Sequence, residues 1–287
     1  MSLLSLVLTL RPRRAAELPS ALGRAAHAAL LAAIGRVDPA LAQRLHDEAG
    51  PRPFTCSSLL GMRAAGAVQP DLTYTLRYTA LTAELADLLA GLFPPGEAEV
   101  ELDHVAFTVE VAASTAEAHP WAGRTTYEAL AARWLLAQER PEAQISLHLA
   151  SPTAFKVGGK AQPFPLPELV FGSLLEKWNA YAPLAFPEET RRFAAECLGV
   201  SRFELGTHAA PFKGEGVVKF GAVGTVTYAA LNRDRYWLSL IHVLAEFAQF
   251  AGVGAGTALG MGQCRALTPP APSPKPFAGA QDDRTSG

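Results

Sequence analysis

No two cysteines in this chain have the spacing of a zinc ribbon or suggest a disulfide framework: Cys56, Cys197 and Cys264 stand alone, with no Cys-x-x-Cys pair. A reducing cytoplasm fits that usage. No HxxxH or HExxH pairs the seven histidines, so a protein-held zinc site is not supported, and no cofactor is called for. The N-terminal apolar run, MSLLSLVLTL, is too short to cross a bilayer. It also precedes its arginines, the reverse of a secretory leader. It reads as a first strand, and no membrane partner is expected. A basic surplus is missing too. The net charge is -2, whereas a protein that neutralises many phosphates usually carries positive charge, so composition alone argues mildly against nucleic acid.

What is present is enough apolar material for a sizeable core. At 287 residues and 49% hydrophobic content the chain makes one large domain or two small ones, and disorder throughout is excluded. Arg11, Arg13, Arg14, Arg24, Arg36, Arg44 and Arg52 crowd the first segment. A basic face and a merely arginine-rich solvated surface account for them equally well.

Periodicity predicts a strand over Leu3 to Leu10, helices over Leu18 to Ile34 and Pro39 to Leu45, and a strand over Phe54 to Leu59. A strand from Thr73 to Leu81, a helix capped by Thr82 and stopped at Pro94-Pro95-Gly96, and one long strand from Val100 to Ala113 follow. That order, β-α-β-β-α-β, is ferredoxin-like. It recurs less cleanly. A connecting helix (Thr126 to Gln138) leads to a strand (Gln144 to Phe155), a Gly158-Gly159 turn, and helices over Leu166 to Ala182 and Pro187 to Leu198. Two strands come next, Val200 to Ala209 and Gly216 to Leu231, then a long helix (Arg233 to Phe250) and a closing strand near Gln263 to Leu267. The expected fold class is therefore α+β, two tandem ferredoxin-like (RRM-like) modules over 1–118 and 119–268. A disordered tail over 269–287 completes the reading, because PPAPSPKPFAGAQDDRTSG has no apolar periodicity.

Between the last helix and the closing strand lies AGVGAGTALGMGQ, with five glycines from Gly252 to Gly262. Bare backbone of this kind lets another backbone or an anion approach closely. A dinucleotide fingerprint would follow a strand and open a helix, whereas this segment follows a helix and leads into a strand. No Gly-Lys-Ser/Thr closes it as a P-loop. A tight helix-to-strand turn accounts for two or three of the glycines, not comfortably for five.

The segment GVGAGTALGMGQ resembles the C-terminal glycine-rich signature of the CRISPR-associated repeat-processing endoribonucleases, the RAMP-type Cas6 family. Two further stretches resemble the same family in the same order: DPALAQRLHDEAGPRPFTCSSLLG (Asp38 to Gly61) and SPTAFKVGGKAQPFPLPELVFGSLLEKWNAYAP from Ser151. The resemblance implies metal-independent RNA cleavage within CRISPR repeats. The ribose 2′-OH attacks its own phosphate, leaving a 2′,3′-cyclic phosphate upstream and a 5′-OH downstream. Such a reaction needs a proton acceptor, a proton donor and a cation beside the phosphate, tasks suited to histidine and to lysine or arginine.

By carry-over, His46 is the candidate base or acid and Arg52 the charge stabiliser. Relatives often have lysine at the latter position, so the charge is kept and the geometry changed. A tyrosine of some relatives falls on Leu31, which leaves the second proton-transfer group unassigned, and His27, four residues earlier on the same helix, is the substitute. A lone histidine at a helix C-terminus can also serve only as a favourable cation against the dipole. His104, His119, His148, His208 and His242 fall on separate elements. RNA contacts are expected at Gly254, Gly256, Gly260 and Gly262, at Lys156 and Lys160 beside the Gly158-Gly159 turn, and at Lys213 and Lys219 of the FKGEGVVKFG hairpin. These lysines also read as solvated loop charges. CRISPR repeat RNA is the expected partner, with CRISPR effector subunits and homodimerisation left open. The competing reading is a non-catalytic repeat-binding subunit of the same fold, motivated by Leu31.

Overall fold

A computed structural model describes residues 2–62, 66–211 and 218–267. In the front module β1 (Ser2–Pro12) is followed by α1 (Gly23–Val37), α2 (Pro39–Asp47), β2 (Phe54–Cys56), β3 (Tyr74–Ala80) and α3 (Ala83–Leu92). The hairpin β4 (Glu99–Leu102) and β5 (Val105–Ala113) closes it. The strands lie side by side as β2-β3-β1-β5-β4, so β1 sits centrally between β3 and β5, the ferredoxin-like order with one added edge strand. Alternation along β1 decides its two faces. Leu4, Leu6, Leu8 and Leu10 enter a core with Leu30 and Ile34 of α1 and Leu85 and Leu89 of α3. Val7 packs on the other face with Ala113 and Ala122.

A short strand, β6 (Gly123–Thr126), pairs with the first half of β1 and leads into α4 (Tyr127–Leu135). The rear module continues with β7 (Gln144–Thr153), α5 (Pro167–Tyr181), α6 (Glu189–Cys197), β8 (Leu198–Pro211), β9 (Val218–Ala230), α7 (Arg235–Ala251) and β10 (Cys264–Leu267). Its sheet runs β8-β9-β7-β10, the same order as the front module without the extra edge. Helices α5 and α7 cover one face through Val170, Phe171, Leu174, Trp178, Leu244 and Phe247.

Three local expectations shift. The long strand over Val100 to Ala113 is instead the β4–β5 hairpin, turned at Asp103 and His104, both at positive φ (48° and 65°). With no glycine or proline at the turn, the break is invisible to a reading based on those residues. Helix α1 starts at Gly23 rather than Leu18, because Pro19 disfavours helical backbone at the residue before it. Ala16–Glu17 pairs instead with Ala67–Val68. The strand from Phe54 ends at Cys56, since Ser57 bridges to Gly260 of the glycine-rich segment.

Candidate RNA-cleavage site between the modules

The glycine-rich segment leaves the end of α7 and lies against the front module. Gly260 N–H donates to Cys56 O at 3.1 Å, and a Cβ on Gly23, the first residue of α1, would fall 2.1 Å from Leu259 O. The backbone that approaches these glycines is thus the protein's own. Gly252, Gly254, Gly256, Gly260 and Gly262 all have positive φ, so all five are needed by the turn, more than the two or three expected. Several of its N–H groups are committed internally: Gly254 to Ser173 Oγ, Ala255 to Ala154 O, Gly262 to Pro152 O.

Lys177 anchors the base of this turn. Its Nζ donates to Ala251 O at 2.9 Å and Gly252 O at 3.1 Å, the carbonyls that α7 leaves unpaired at its C-terminus, and reaches Thr257 Oγ1 at 3.4 Å. Burial lowers its pKa to about 7. Lys177 is absent from the residues expected above, although a lysine flanked by Leu174, Leu175 and Trp178 on an apolar helix face is a visible anomaly.

One turn into α1, His27 comes under the same segment. Its Nδ1 lies 3.1 Å from Ala258 O and its ring sits 5.4 Å from that of Phe54. A carbonyl only accepts, so Nδ1 carries the proton and Nε2 keeps its lone pair. Burial lowers the pKa of His27. The Ala258 hydrogen bond partly opposes this, and the charges of Arg52 and His46 add to the lowering. The two histidines and the arginine therefore share one electrostatic neighbourhood.

Arg52 and His46 reach that neighbourhood from the end of α2. Asp38 caps the start of this helix by accepting from Leu41 N–H, and Pro39 occupies its first position. At its end the Arg52 guanidinium donates to Leu45 O and, at 3.2 Å, to His46 O. The cation capping this helix is thus Arg52, while the His46 side chain stands exposed in the last turn. Tyr181 of α5 donates its hydroxyl to Pro51 O and ties the rear module to the Gly50-Pro51-Arg52 turn. No sequence signal points to it, because the contact exists only once the modules meet.

A cleft of about 640 Å³ runs between these parts, lined among others by His27, Arg52, Lys156, Lys177, Arg191 and Gly254 to Leu259. Lys156 stands on its wall, on the hairpin Phe155–Val157 paired with Lys160–Gln162. Lys160 is exposed on the opposing strand and does not line the cleft. Lys219 pairs with Ala210 near the tip of the β8–β9 hairpin, and Lys213 lies outside the described residues. Leu31 is half-buried against the front core. Among the described residues no cluster of metal-ligating side chains occurs, and no helix is long and apolar enough to cross a membrane.

Family models match both halves of the chain: the CRISPR Cas6 N-terminal domain over residues 3–88 and the CRISPR-associated endoribonuclease Cas6 over residues 147–264. A solved Cas6 product complex is 30% identical, with a TM-score of 0.75 over 93% of this chain and 100% of that one. The chain belongs to the Cas6 family. Thermus thermophilus Cas6 is similar too, at 27% identity and a TM-score of 0.72, covering 93% of this chain and 99% of that one. A curated Cas6 endoribonuclease of Mycobacterium tuberculosis is 30% identical over 145 residues, 47% of this chain and 43% of that protein's length. The chain thus spans less than half of that curated relative. A Cas6-related protein of Pyrococcus furiosus, 13% identical with a TM-score of 0.58, shares the fold.

Proposed function

We propose that this Cas6 chain binds CRISPR repeat RNA and cuts it once per repeat without a metal ion, by 2′-OH attack that leaves a 2′,3′-cyclic phosphate and a 5′-OH. The observation that carries this reading is the His27 tautomer. Ala258 O holds the proton on Nδ1, burial favours the neutral ring, and Nε2 is left as a proton acceptor on a residue that lines the cleft with Arg52, Lys156 and Arg191 as well as Glu168 and Glu176. His27 then removes the 2′-OH proton, and His46 delivers one to the departing 5′ oxygen. Arg52, with two of its N–H groups spent on Leu45 O and His46 O, offers the rest to the phosphate as charge builds there.

The N–H groups of Gly256, Thr257 and Ala258 have no acceptor among the described residues and face the same task for the RNA backbone, with Lys156 beside them. Gly254, Gly260 and Gly262 shape the turn that presents those donors. Lys160 adds positive charge on the hairpin that carries Lys156. This assignment gives the second proton-transfer role to His27, with no need of a tyrosine at position 31. Incubation of the protein with synthetic repeat RNA in EDTA tests the reading. We expect one cut per repeat, abolished by a 2′-deoxy substitution upstream of the scissile phosphate. Cleavage that requires a divalent ion, or binding with no scission at any pH, would falsify it, the latter in favour of a non-catalytic repeat-binding subunit.

A further inference from the structure

The rear sheet ends at β8, which spans 14 residues and, among the described residues, pairs only with β9. Its outer edge is a row of backbone N–H and C=O groups without a strand beside them, a ready template for pairing with another chain. The other sheet edges are shielded. The glycine-rich turn lies on β2, through Gly260 N–H to Cys56 O and the Ser57–Gly260 bridge, while β4 and β10 are only four residues each. Lysine and proline, which commonly blunt such an edge, are absent from β8 between Leu198 and Ala210. Its register shift lies early, between Val200 and Arg202, and from Arg202 to Pro211 the pairing with β9 is regular.

The side chains at the start of this regular stretch are unusual for a free rim. Phe203 sits opposite Val226 of the rear core, so it belongs to the helix-covered face, yet it is 58% exposed. The Phe164 ring meets it edge-on at 5.5 Å and leaves its outer side open. Arg202 and Glu204, opposite Thr227 and Thr225, point to the other face. Both are exposed, and neither makes an ion pair among the described residues.

The order Arg202-Phe203-Glu204 is self-complementary when read antiparallel to itself. A two-fold axis normal to a sheet keeps every side chain on its own face, so it must pass through a residue paired with its own copy. Centred on Arg202 or Glu204, such a pairing sets like charges directly opposite, which is unfavourable. Centred on Ser201 or Leu205, it leaves both charges unmatched. Centred on Phe203, it sets Arg202 of each copy opposite Glu204 of the other, twice by symmetry, and places the two Phe203 rings side by side on the apolar face. Charge and aromatic packing thus select the same register.

We infer that β8 is an interface for a second copy of this chain, which adds its own β8 antiparallel about a two-fold axis through Phe203 and continues the rear sheet across two molecules. The inference stands apart from the RNA-cleavage reading. None of Arg202, Phe203 and Glu204 lines the cleft, so each copy keeps its own.

The test is sedimentation velocity of the full chain, without RNA, over a series of protein concentrations. The unaltered chain should show a concentration-dependent dimer. The variants are Arg202→Glu and Glu204→Arg, both at exposed positions, with circular dichroism as the check that each is folded. Either reversal turns two attractive cross-strand pairs into two repulsive ones and should raise the dimer dissociation constant about tenfold. Mixed in equal amounts, the two variants should pair with each other at least as well as the unaltered chain pairs with itself, because the acidic strand then faces the basic one. That recovery distinguishes a direct contact from a general loss of structure. An unaltered chain that is monomeric at every concentration would overturn the proposal and leave the edge to a strand from a different protein. A dimer indifferent to both reversals would overturn it in favour of another surface. Weakening without recovery on mixing would overturn it as well, since the register centred on Phe203 requires the recovery.

Discussion

An imidazole that donates from one nitrogen has its other nitrogen available as a base, and His27 is in that state only while Ala258 O stays in place. His27→Ala should lower the cleavage rate by about 10²- to 10⁴-fold with RNA affinity nearly unchanged, checked by single-turnover kinetics beside a binding titration. Because burial holds the His27 pKa below the ordinary 6.5, the pH–rate profile should show its acid limb below 6.5. A pH–rate profile with its limb above 7 would remove His27 from the base role. Lys177 predicts differently. Lys177→Met keeps the length of the side chain but leaves Ala251 O and Gly252 O buried without a donor, at a cost of about 1–3 kcal/mol each. Urea denaturation should show that loss, and activity should fall with it as the glycine-rich turn loosens. Of these residues His46 and Arg52 are legible through the resemblance of their surroundings to a family, and His27 through helical spacing. Tyr181 is not legible, because its partner, Pro51, lies 130 positions away in sequence.

At the scale of elements, the glycine-rich turn is the most constrained piece. A Cβ on Gly262, which has φ +67°, would lie 2.2 Å from Val253 O. Gly262→Ala should therefore destabilise the protein by more than about 2 kcal/mol, combining left-handed strain with a backbone collision. Gly199→Ala in β8 meets no atom within 4 Å and should stay within about 0.5 kcal/mol of the parent. Equal urea midpoints for the two would contradict the constraint. Helix starts are readable wherever a side chain does the capping, as at Asp38, Thr82 and Thr126. The β4–β5 hairpin is hidden from such a reading because no glycine or proline marks its turn, which Asp103 and His104 make at positive φ. The module order is legible because the apolar pattern changes period from two to 3.6 at each junction. Nothing in that pattern tells which faces of the two modules meet.

For the whole molecule, proton linkage gives a direction. His27, His119, His148 and His242 all have pKa values lowered mainly by burial. Burial favours the neutral ring in the folded chain, so below the ordinary value of 6.5 the unfolded chain binds more protons than the folded one. Stability should accordingly rise with pH over the interval just below 6.5 and lose this contribution to the slope above it. Urea midpoints measured at closely spaced pH values check the sign, and a midpoint that falls over that interval would contradict it.

The contact between His27 and Ala258 joins positions 231 residues apart. On the ribosome, the helix that carries the imidazole emerges long before the carbonyl that fixes its tautomer has been synthesised. A nascent or prematurely released chain that stops short of Ala258 therefore lacks the carbonyl that holds the proton on Nδ1 of His27.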